Sequence, residues 1–409
     1  MRLPRPVANL LTFCGNAFVH PLARILPRTP TLWAFGAPNG SFEGNSKYLY
    51  LWLSRRPSPV TPVWVTPNAA LAARLRRQGL RAIPRWSVRG LLTAMRAGLY
   101  LVNDNSSDVN FSLSNGAKVF NLWHGVGLKN VLHGSQVGFS ADLRRRASDP
   151  LHKIRNMRRL ERPEWVLSTS PEMSGAFFAR CFGVAPSKAP ALGYPRLDPQ
   201  IDDGLKEYAT SFDDYSLTDG WDSRRSILYA PTLREFGTGF LDAALPDLER
   251  LSDALEAQGA ILFLKLHPKM AVEKGRLEAL PSNIVVLPSA LDLYPVLDRF
   301  SALITDYSSL FFDFIAFKSA GVVLYTFDFD DYTARERDLA WDYEEATAGV
   351  RANNFDELCD AVRDGRVFAP VDPARLASLR TRFWGGDLGE PAASQRISDY
   401  LLAQQGLGQ

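Results

Sequence analysis

Acidic side chains are missing from the start of the chain. No Asp or Glu precedes Glu43, while Arg2, Arg5, Arg24 and Arg28 fall in that stretch. Cysteine is also scarce: Cys14, Cys181 and Cys359 are far apart and odd in number, which excludes a disulfide framework and a cysteine-built zinc site and suits reduced thiols in a cytosolic chain. Of the five histidines, His124, His133 and His152 lack an i, i+4 partner or a nearby cysteine, which argues against a transition-metal centre. No apolar run reaches the roughly 18–20 residues that cross a bilayer. The nearest candidate, "VANLLTFCGNAFV" at 7–19, is broken by Asn9, Thr12 and Asn16 and has no clear cleavage site, so it does not read as a signal peptide. A net charge of +3 is too small to argue for nucleic acid.

What is present describes a globular protein of 409 residues with 46% hydrophobic and 22% charged side chains, long enough for two domains. Residues 1–30 form a basic segment in which Val7, Leu10, Leu11, Cys14, Phe18, Leu22, Ile25 and Leu26 follow helical spacing, with a kink expected at Pro21. An amphipathic helix with basic flanks suits an anionic inner leaflet, or packing on its own domain. A second basic stretch, 141–162, carries eight Lys or Arg against three acids. It reads as a solvated face or as a contact for anionic lipid or a phosphate-rich acceptor; no recognition motif points to nucleic acid.

From 31 to 198, "TLWAFGA", "PVWVTP", "GLYLVND", "KVFNLWHG" and "WVLSTS" read as strands separated by helical patterns. Residues 199–225 are polar and acidic and read as a linker. The alternation restarts over 226–400 with "SILYAPT", "AILFLKLHP", "NIVVLP", "ALITDYSS" and "AGVVLYTF", and "ASQRISDYLLAQQ" reads as a final helix. Strand, helix, strand in series means parallel sheets with right-handed crossovers. Two such halves imply α/β architecture and a cleft where the strands' carboxyl ends converge.

Several strands stop on polar clusters. "NLWHGVGLK" places His124 at a strand end beside Gly125, which leaves room for another molecule, with Lys129 following. "ILYAPTLR" delivers Thr232 and Arg234, and "FLKLHP" delivers Lys265 and His267. "LITDYSSLFFDF" delivers Asp306, Ser308 and Ser309 where a helix begins, with Asp313 one turn on. Serine hydroxyls and free N–H groups at a helix start make an anion site, and Arg234 and Lys265 can add charge, so the second half reads as a pyrophosphate cradle. Paired acids in "DFDD" at 328–331 are the one motif that could hold a divalent metal.

"NLWHGVGLK", "LGYPRLD", "ILYAPTLR", "FLKLHP", "ITDYSSLFFDF" and "GEPAASQRISDYL", in that order, together resemble the CDP-glycerol glycerophosphotransferase family, and "GNSKYLYLWL" is similar to a segment near its start. These are teichoic acid primases and polymerases and related capsule enzymes. The resemblance covers roughly residues 40–400 and implies a GT-B fold: two Rossmann-like domains, acceptor on the first and nucleotide on the second. It implies transfer of a polyol phosphate, glycerol phosphate favoured, from a CDP-polyol to a hydroxyl of an envelope glycopolymer or lipid-linked acceptor, releasing CMP. It assigns catalysis to His124 and His267 and donor phosphate to Arg234, Ser308 and Ser309; the residues themselves add Thr232 and Lys265 to the donor-phosphate set and give Asp306 and Asp313 a donor-binding or structural role. Asn45, Lys47, Gly125 and Lys129 fall on the acceptor side. No cofactor or metal is expected, and the location implied is the inner face of the cell membrane. "KSAG" at 318–321 and "ARERD" at 334–338 depart from the family pattern and leave the donor polyol open.

The chemistry is consistent with this. A hydroxyl attacking phosphorus needs a base near neutral pKa, and imidazole supplies one, so His124 reads as the general base. The departing CMP needs positive donors, and phosphoryl transfer is mostly positioning and charge stabilisation. A UDP-sugar transferase or epimerase of the same fold, and a membrane-surface scaffold without turnover, are the competing readings.

Overall fold

The computed structural model describes residues 12–218, 225–234, 239–267, 270, 280–386 and 388–407. The apolar runs form two sheets. The first holds β1 (Thr29–Phe35), β2 (Thr61–Thr66), β3 (Ala82–Pro84), β4 (Ala97–Val102), β5 (Lys118–Asn121) and β6 (Trp165–Val166) in the order β3-β2-β1-β4-β5-β6. The second holds β7 (Arg225–Tyr229), β8 (Ala260–Leu264), β9 (Ile284–Val286), β10 (Ala302–Thr305), β11 (Gly321–Tyr325) and β12 (Val350–Ala352) in the order β12-β11-β10-β7-β8-β9. Every pairing is parallel. Parallel strands are covered on both faces, which is why "LYLV", "ALIT" and "GVVLY" are apolar at nearly every position and fully buried. The two orders are the same: the third, second and first strands of each half, then its fourth, fifth and sixth, save that the second half runs from its sixth strand to its third. Each sheet therefore has a switch point, at β1/β4 and at β7/β10, where a crevice opens beyond the carboxyl ends.

Helices α1 (Gly44–Ser54), α2 (Ala69–Arg77) and α3 (Val88–Arg96) cover the first sheet. The Asn68 side chain accepts from the Leu71 amide and Ser87 from Gly90, which starts α2 and α3 where the sequence places them. The basic stretch forms α4 (Gly138–Arg145) and α5 (Pro150–Arg155). One apolar cluster runs from Trp33 and Trp64 through Leu122 and Val126 to Phe311, Phe312 and Phe383, so both domains share a core.

The edge strands β3 ("AIP") and β12 ("VRA") are three residues each and are interrupted by proline and arginine, so neither carries an apolar run to read. The 199–225 linker contains a helix, α6 (Asp203–Thr210), capped by Asp202 and burying Leu205 and Ala209; 219–224 lie outside the described residues. "FLDAALPDLERLSDALEAQ" divides into α7 (Phe240–Ala244) and α8 (Leu248–Glu256) on either side of Pro246, which cannot donate an interior hydrogen bond. In the second half, α9 (Leu310–Phe317) follows β10, α10 (Phe329–Arg335) follows β11, and α11 (Phe355–Arg363) follows β12. The chain then runs through α12 (Pro373–Trp384) to α13 (Ala393–Gln404). Although it begins within 226–400, α13 packs on the first domain. Tyr400 meets the rings of Phe120 and Trp165 at 6.5 and 6.2 Å, and the Asp198 carboxylate accepts the Ala393 and Ser394 amides at 2.9 Å each.

Residues 12–25 are helical, and 1–11, including Arg2, Arg5, Val7 and Leu10, lie outside the described residues. At Pro21 the turn type changes, from a π turn at Gly15–Val19 to an α turn at His20–Leu22. Arg28 anchors the segment by donating to the carbonyls of Ala94, Ala97, Leu113 and Asn115.

Candidate active site

His124 stands three residues past the end of β5 on a loop held in an unusual shape. Trp123 has φ of 52°, a left-handed conformation that costs a bulky residue energy and persists only where neighbours impose it. Asn121 Oδ1 accepts the Trp123 amide at 2.9 Å, and Asn45 Nδ2 donates to the carbonyls of Leu122 and Trp123 at 2.9 and 3.0 Å. The Trp123 and His124 rings lie 4.0 Å apart, and His124 Nδ1 faces the Asn103 carbonyl at 3.1 Å. An Nδ1–H tautomer would donate there and leave Nε2 as the basic nitrogen. The residue is exposed at the mouth of a cleft of about 620 Å³, yet the surrounding walls lower its pKa by desolvation, with Asn103 opposing. That direction favours the neutral imidazole.

That cleft lies between the sheets' carboxyl ends. Glu43, Asn103, Asp104 and His124 line it from the first domain, and Lys265, Asp292, Tyr294 and Leu310 from the second. Ser309 takes the N-cap position of α9 without a side-chain cap bond, and Ser308 Oγ accepts the Leu310 amide at 3.3 Å. Gly125 meets this helix start. A Cβ on it would lie 2.6 Å from Ser309 Oγ and 3.1 Å from Ser309 Cβ. The room Gly125 leaves is therefore filled by Ser309 of the other domain, not kept open for an acceptor. His267, on the loop after β8, is exposed, and Pro268 lies outside the described residues.

Other expected site residues have different work. Arg234 is an ion-pair hub: it contacts Asp306 at 2.9 Å and Asp328 at 2.7 Å and lies over the rings of Phe240, Tyr307 and Tyr332. As placed, Arg234 holds Asp306 and Asp328 together, and its Nη1 also donates to the Thr232 carbonyl at 2.7 Å. The same contacts occupy the first acid of "DFDD". Asp306 also accepts the Thr232 amide at 2.9 and 3.1 Å, while the buried Thr232 hydroxyl has no partner among the described residues. Lys265 donates to the carbonyls of Pro288, Ser289 and Leu291 at 2.8, 2.9 and 2.6 Å, which uses all three of its N–H groups; burial lowers its pKa to about 8. It fixes the cleft's second-domain wall.

Lys47, expected on the acceptor side, is buried against Asp292 at 2.8 Å and Asp213 at 3.5 Å. Burial pushes the Asp292 carboxyl up, but Lys47, Tyr48 and the Tyr294 amide overcome this and hold it below its ordinary value. Asn45 braces the histidine loop from beneath. Lys129 lies 5.8 Å from the Tyr332 ring, on a bridge to Leu339. Asp313 is buried in an ion pair with Arg196 at 2.6 Å and accepts the Tyr294 hydroxyl at 2.9 Å.

Arg196 is the residue that sequence reasoning missed, although it stands in "LGYPRLD". Besides Asp313 it donates to the His124 carbonyl at 2.6 Å, and the neighbouring Tyr194 hydroxyl donates to the Gly125 carbonyl at 2.9 Å. One side chain thus fixes the histidine loop and joins it to α9. An arginine beside tyrosine and proline in a loop carries no periodicity that could have identified it.

A model of the family described as CDP-glycerol:poly(glycerophosphate) glycerophosphotransferase matches residues 20–403. The chain is 29% identical over 257 residues to the teichoic acid ribitol-phosphate polymerase TarL of Staphylococcus aureus, covering 60% of this chain and 42% of that protein. It is 25% identical over 383 residues to a teichoic acid glycerol-phosphate transferase of the same organism, covering 88% and 90%. It thus spans less than half of the ribitol-phosphate polymerase and most of the glycerol-phosphate transferase. A solved structure of the wall teichoic acid polymerase TagF matches with a TM-score of 0.73 at 18% identity, covering 98% of this chain and 96% of that one. That likeness bears out the two-domain GT-B arrangement. Among the described residues no helix is long and apolar enough to cross a membrane.

Proposed function

The chain belongs to the CDP-glycerol:poly(glycerophosphate) glycerophosphotransferase family, and from that premise we propose that it moves a polyol phosphate from a CDP-polyol to a hydroxyl of a teichoic-acid-like or capsule acceptor, releasing CMP. The observation that carries this is His124: a neutral imidazole braced by Asn45 and Arg196, opening on the interdomain cleft beside the start of α9. In the proposed step the acceptor oxygen forms a bond to the polyol-bearing phosphorus and passes its proton to His124 Nε2. The bond from that phosphorus to the CMP phosphate oxygen breaks, and CMP leaves with the electron pair. His267, the Thr232 and serine hydroxyls, and the amides at the start of α9 take the negative charge. Incubating the protein with CDP-glycerol, CDP-ribitol and UDP-sugars in the presence of an acceptor tests this. CMP release from a CDP-alcohol alone supports it; UDP release, or none from any donor, overturns it.

We further propose that the first domain rests on an anionic membrane surface. Phe18, Leu22 and Ile25 are 63%, 63% and 81% exposed on the N-terminal segment. Its Asn16 bonds the Ile154 carbonyl of α5 at 2.7 Å, which brings exposed Leu151 and the basic Lys153 and Arg155 alongside. An apolar face and neighbouring cations are the two signals that peripheral binding needs. Co-sedimentation with phosphatidylglycerol vesicles that weakens in high salt is expected, because the charge attraction is screened. Equal binding to neutral vesicles, or none, would refute it.

A further inference from the structure

A second cavity opens at the switch point of the first sheet, and it is built from polar groups. It holds about 370 Å³ between the loop after β1 (Pro38–Gly40), Arg85 after β3, the turn after β4, and Arg158 and Arg159. Pro38 and Asp104 line both this cavity and the His124 cleft, so the two adjoin. The floor is closely made. A Cβ on Gly36 would lie 2.4 Å from the Asp108 carbonyl oxygen, so only glycine lets the chain leaving β1 press against that turn.

Arg85, Arg158 and Arg159 all line this cavity, and the nearby Asp108, Glu161 and Asp104 carboxylates accept from backbone or amide donors. Asp108 turns its carboxylate inward to the amides of Asn103 and Asp104 at 3.0 and 2.9 Å, and Glu161 does the same to Ser106 at 2.8 Å. Asp104 faces the cavity but accepts Asn105 Nδ2 at 2.7 Å. Arg85 donates to the Asp108 carbonyl, and its buried Nε has no partner among the described residues. Burial lowers the pKa of Arg159, and the like charge of Arg158 lowers it further, with Asp104 opposing. An anion between the two guanidinium groups would relieve that repulsion.

Resting on the phosphotransferase reading, we propose that this crevice is a phosphate subsite for the acceptor: Arg85, Arg158 and Arg159 bind the phosphodiester next to the hydroxyl presented to His124. An open α/β sheet binds ligands at this place, and arginine forks suit phosphate oxygens. An acceptor already carrying one transferred unit would then bind better than a bare hydroxyl, which favours extension over a first addition.

Calorimetry of the full chain with glycerophosphoglycerol, a soluble phosphodiester, tests the subsite without turnover. In the Arg158→Ala/Arg159→Ala double variant, checked for an unchanged melting temperature, its affinity should fall about tenfold or more, while affinity for CDP holds within about twofold. The KM for a phosphodiester-bearing acceptor should rise in parallel. Unchanged glycerophosphoglycerol affinity overturns the proposal. So does loss of anionic-vesicle binding alone, which would assign these arginines to lipid headgroups. Failure of the unaltered protein to release CMP counts against the phosphotransferase reading, whereas the binding comparison still decides the subsite.

Discussion

Replacing Gly125 by alanine tests whether the histidine loop and the start of α9 act as one piece. The added Cβ would meet Ser309 Oγ at 2.6 Å and Ser309 Cβ at 3.1 Å, so the two domains must separate locally by several tenths of an ångström or Ser309 must turn away. Overpacking of this kind costs about 1–3 kcal/mol. The loop cannot absorb it freely, because Tyr194, Arg196 and Asn45 grip its carbonyls. Displacing a catalytic group by even about 1 Å can cost on the order of 100-fold in rate. The control is Ser309→Gly, which removes both clashing atoms; Ser309 makes no side-chain cap bond and glycine is tolerated at this position, so the fold should hold. In a double-mutant cycle read by melting temperature and by CMP release, Gly125→Ala should be damaging beside the native serine and nearly harmless in the Ser309→Gly background. The expected coupling is about 1–3 kcal/mol. A Gly125→Ala penalty equal in both backgrounds would show that the loop does not bear on α9 in the working enzyme.

His124→Ala should reduce turnover by about 10²–10⁴ while leaving CDP binding within a few-fold; near-normal turnover in a folded variant would remove the general-base assignment. Because its pKa lies below the ordinary histidine value, activity should be level through neutral pH and fall only as pH drops below that lowered value, as a rate profile will record. Arg234→Ala should lower stability by about 3–5 kcal/mol, since it leaves Asp306 and Asp328 unpaired, and denaturant midpoints will separate this from a pure loss of donor affinity. Burial raises Glu161 to about 7, so the folded state favours its protonated form; its contribution is complete below the unfolded carboxylate range and erodes between about pH 4 and 7. Glu161→Gln should therefore gain on the unaltered protein at pH 8 relative to pH 4, and a parallel pair of melting curves would falsify that. Turnover should survive EDTA, with protein donors serving the pyrophosphate, and loss restored by Mg²⁺ would revive "DFDD" as a ligand cluster.

The sheets were legible wherever strands were long and buried on both faces. Thus "GLYLV" and "AGVVLY" announced themselves, and so did the short edges β6 and β9 through the apolar runs "WVL" and "IVVL", whereas "AIP" at Ala82 and "VRA" at Val350, interrupted by proline and arginine, did not. His124 was legible because a strand ending on histidine and glycine is locally distinctive. The tasks of Arg234 and Lys265 were not, because their partners come from other elements: Asp328 from the end of β11, and three carbonyls from the loop after β9. Charge type is written in the sequence; whether that charge is already satisfied is decided by residues far along the chain. Arg196 and Asp313 illustrate the same limit, since only the packing of the two domains makes a pair of them.

The return of α13 to the first domain governs how the cleft can move. The chain changes domain twice, between β6 and β7 and again after Trp384, where Gly385 and Gly386 adopt φ of 80° and 99°. Two tethers restrict the domains' relative rotation more than one would, and any opening of the cleft must also separate the apolar core they share. Lys47 with Asp292 and Arg196 with Asp313 are both first-domain cations on second-domain acids, and they sit as clasps across that boundary. Because Arg196 also holds the His124 carbonyl, breaking its pair with Asp313 would free the histidine loop as well as the domain contact.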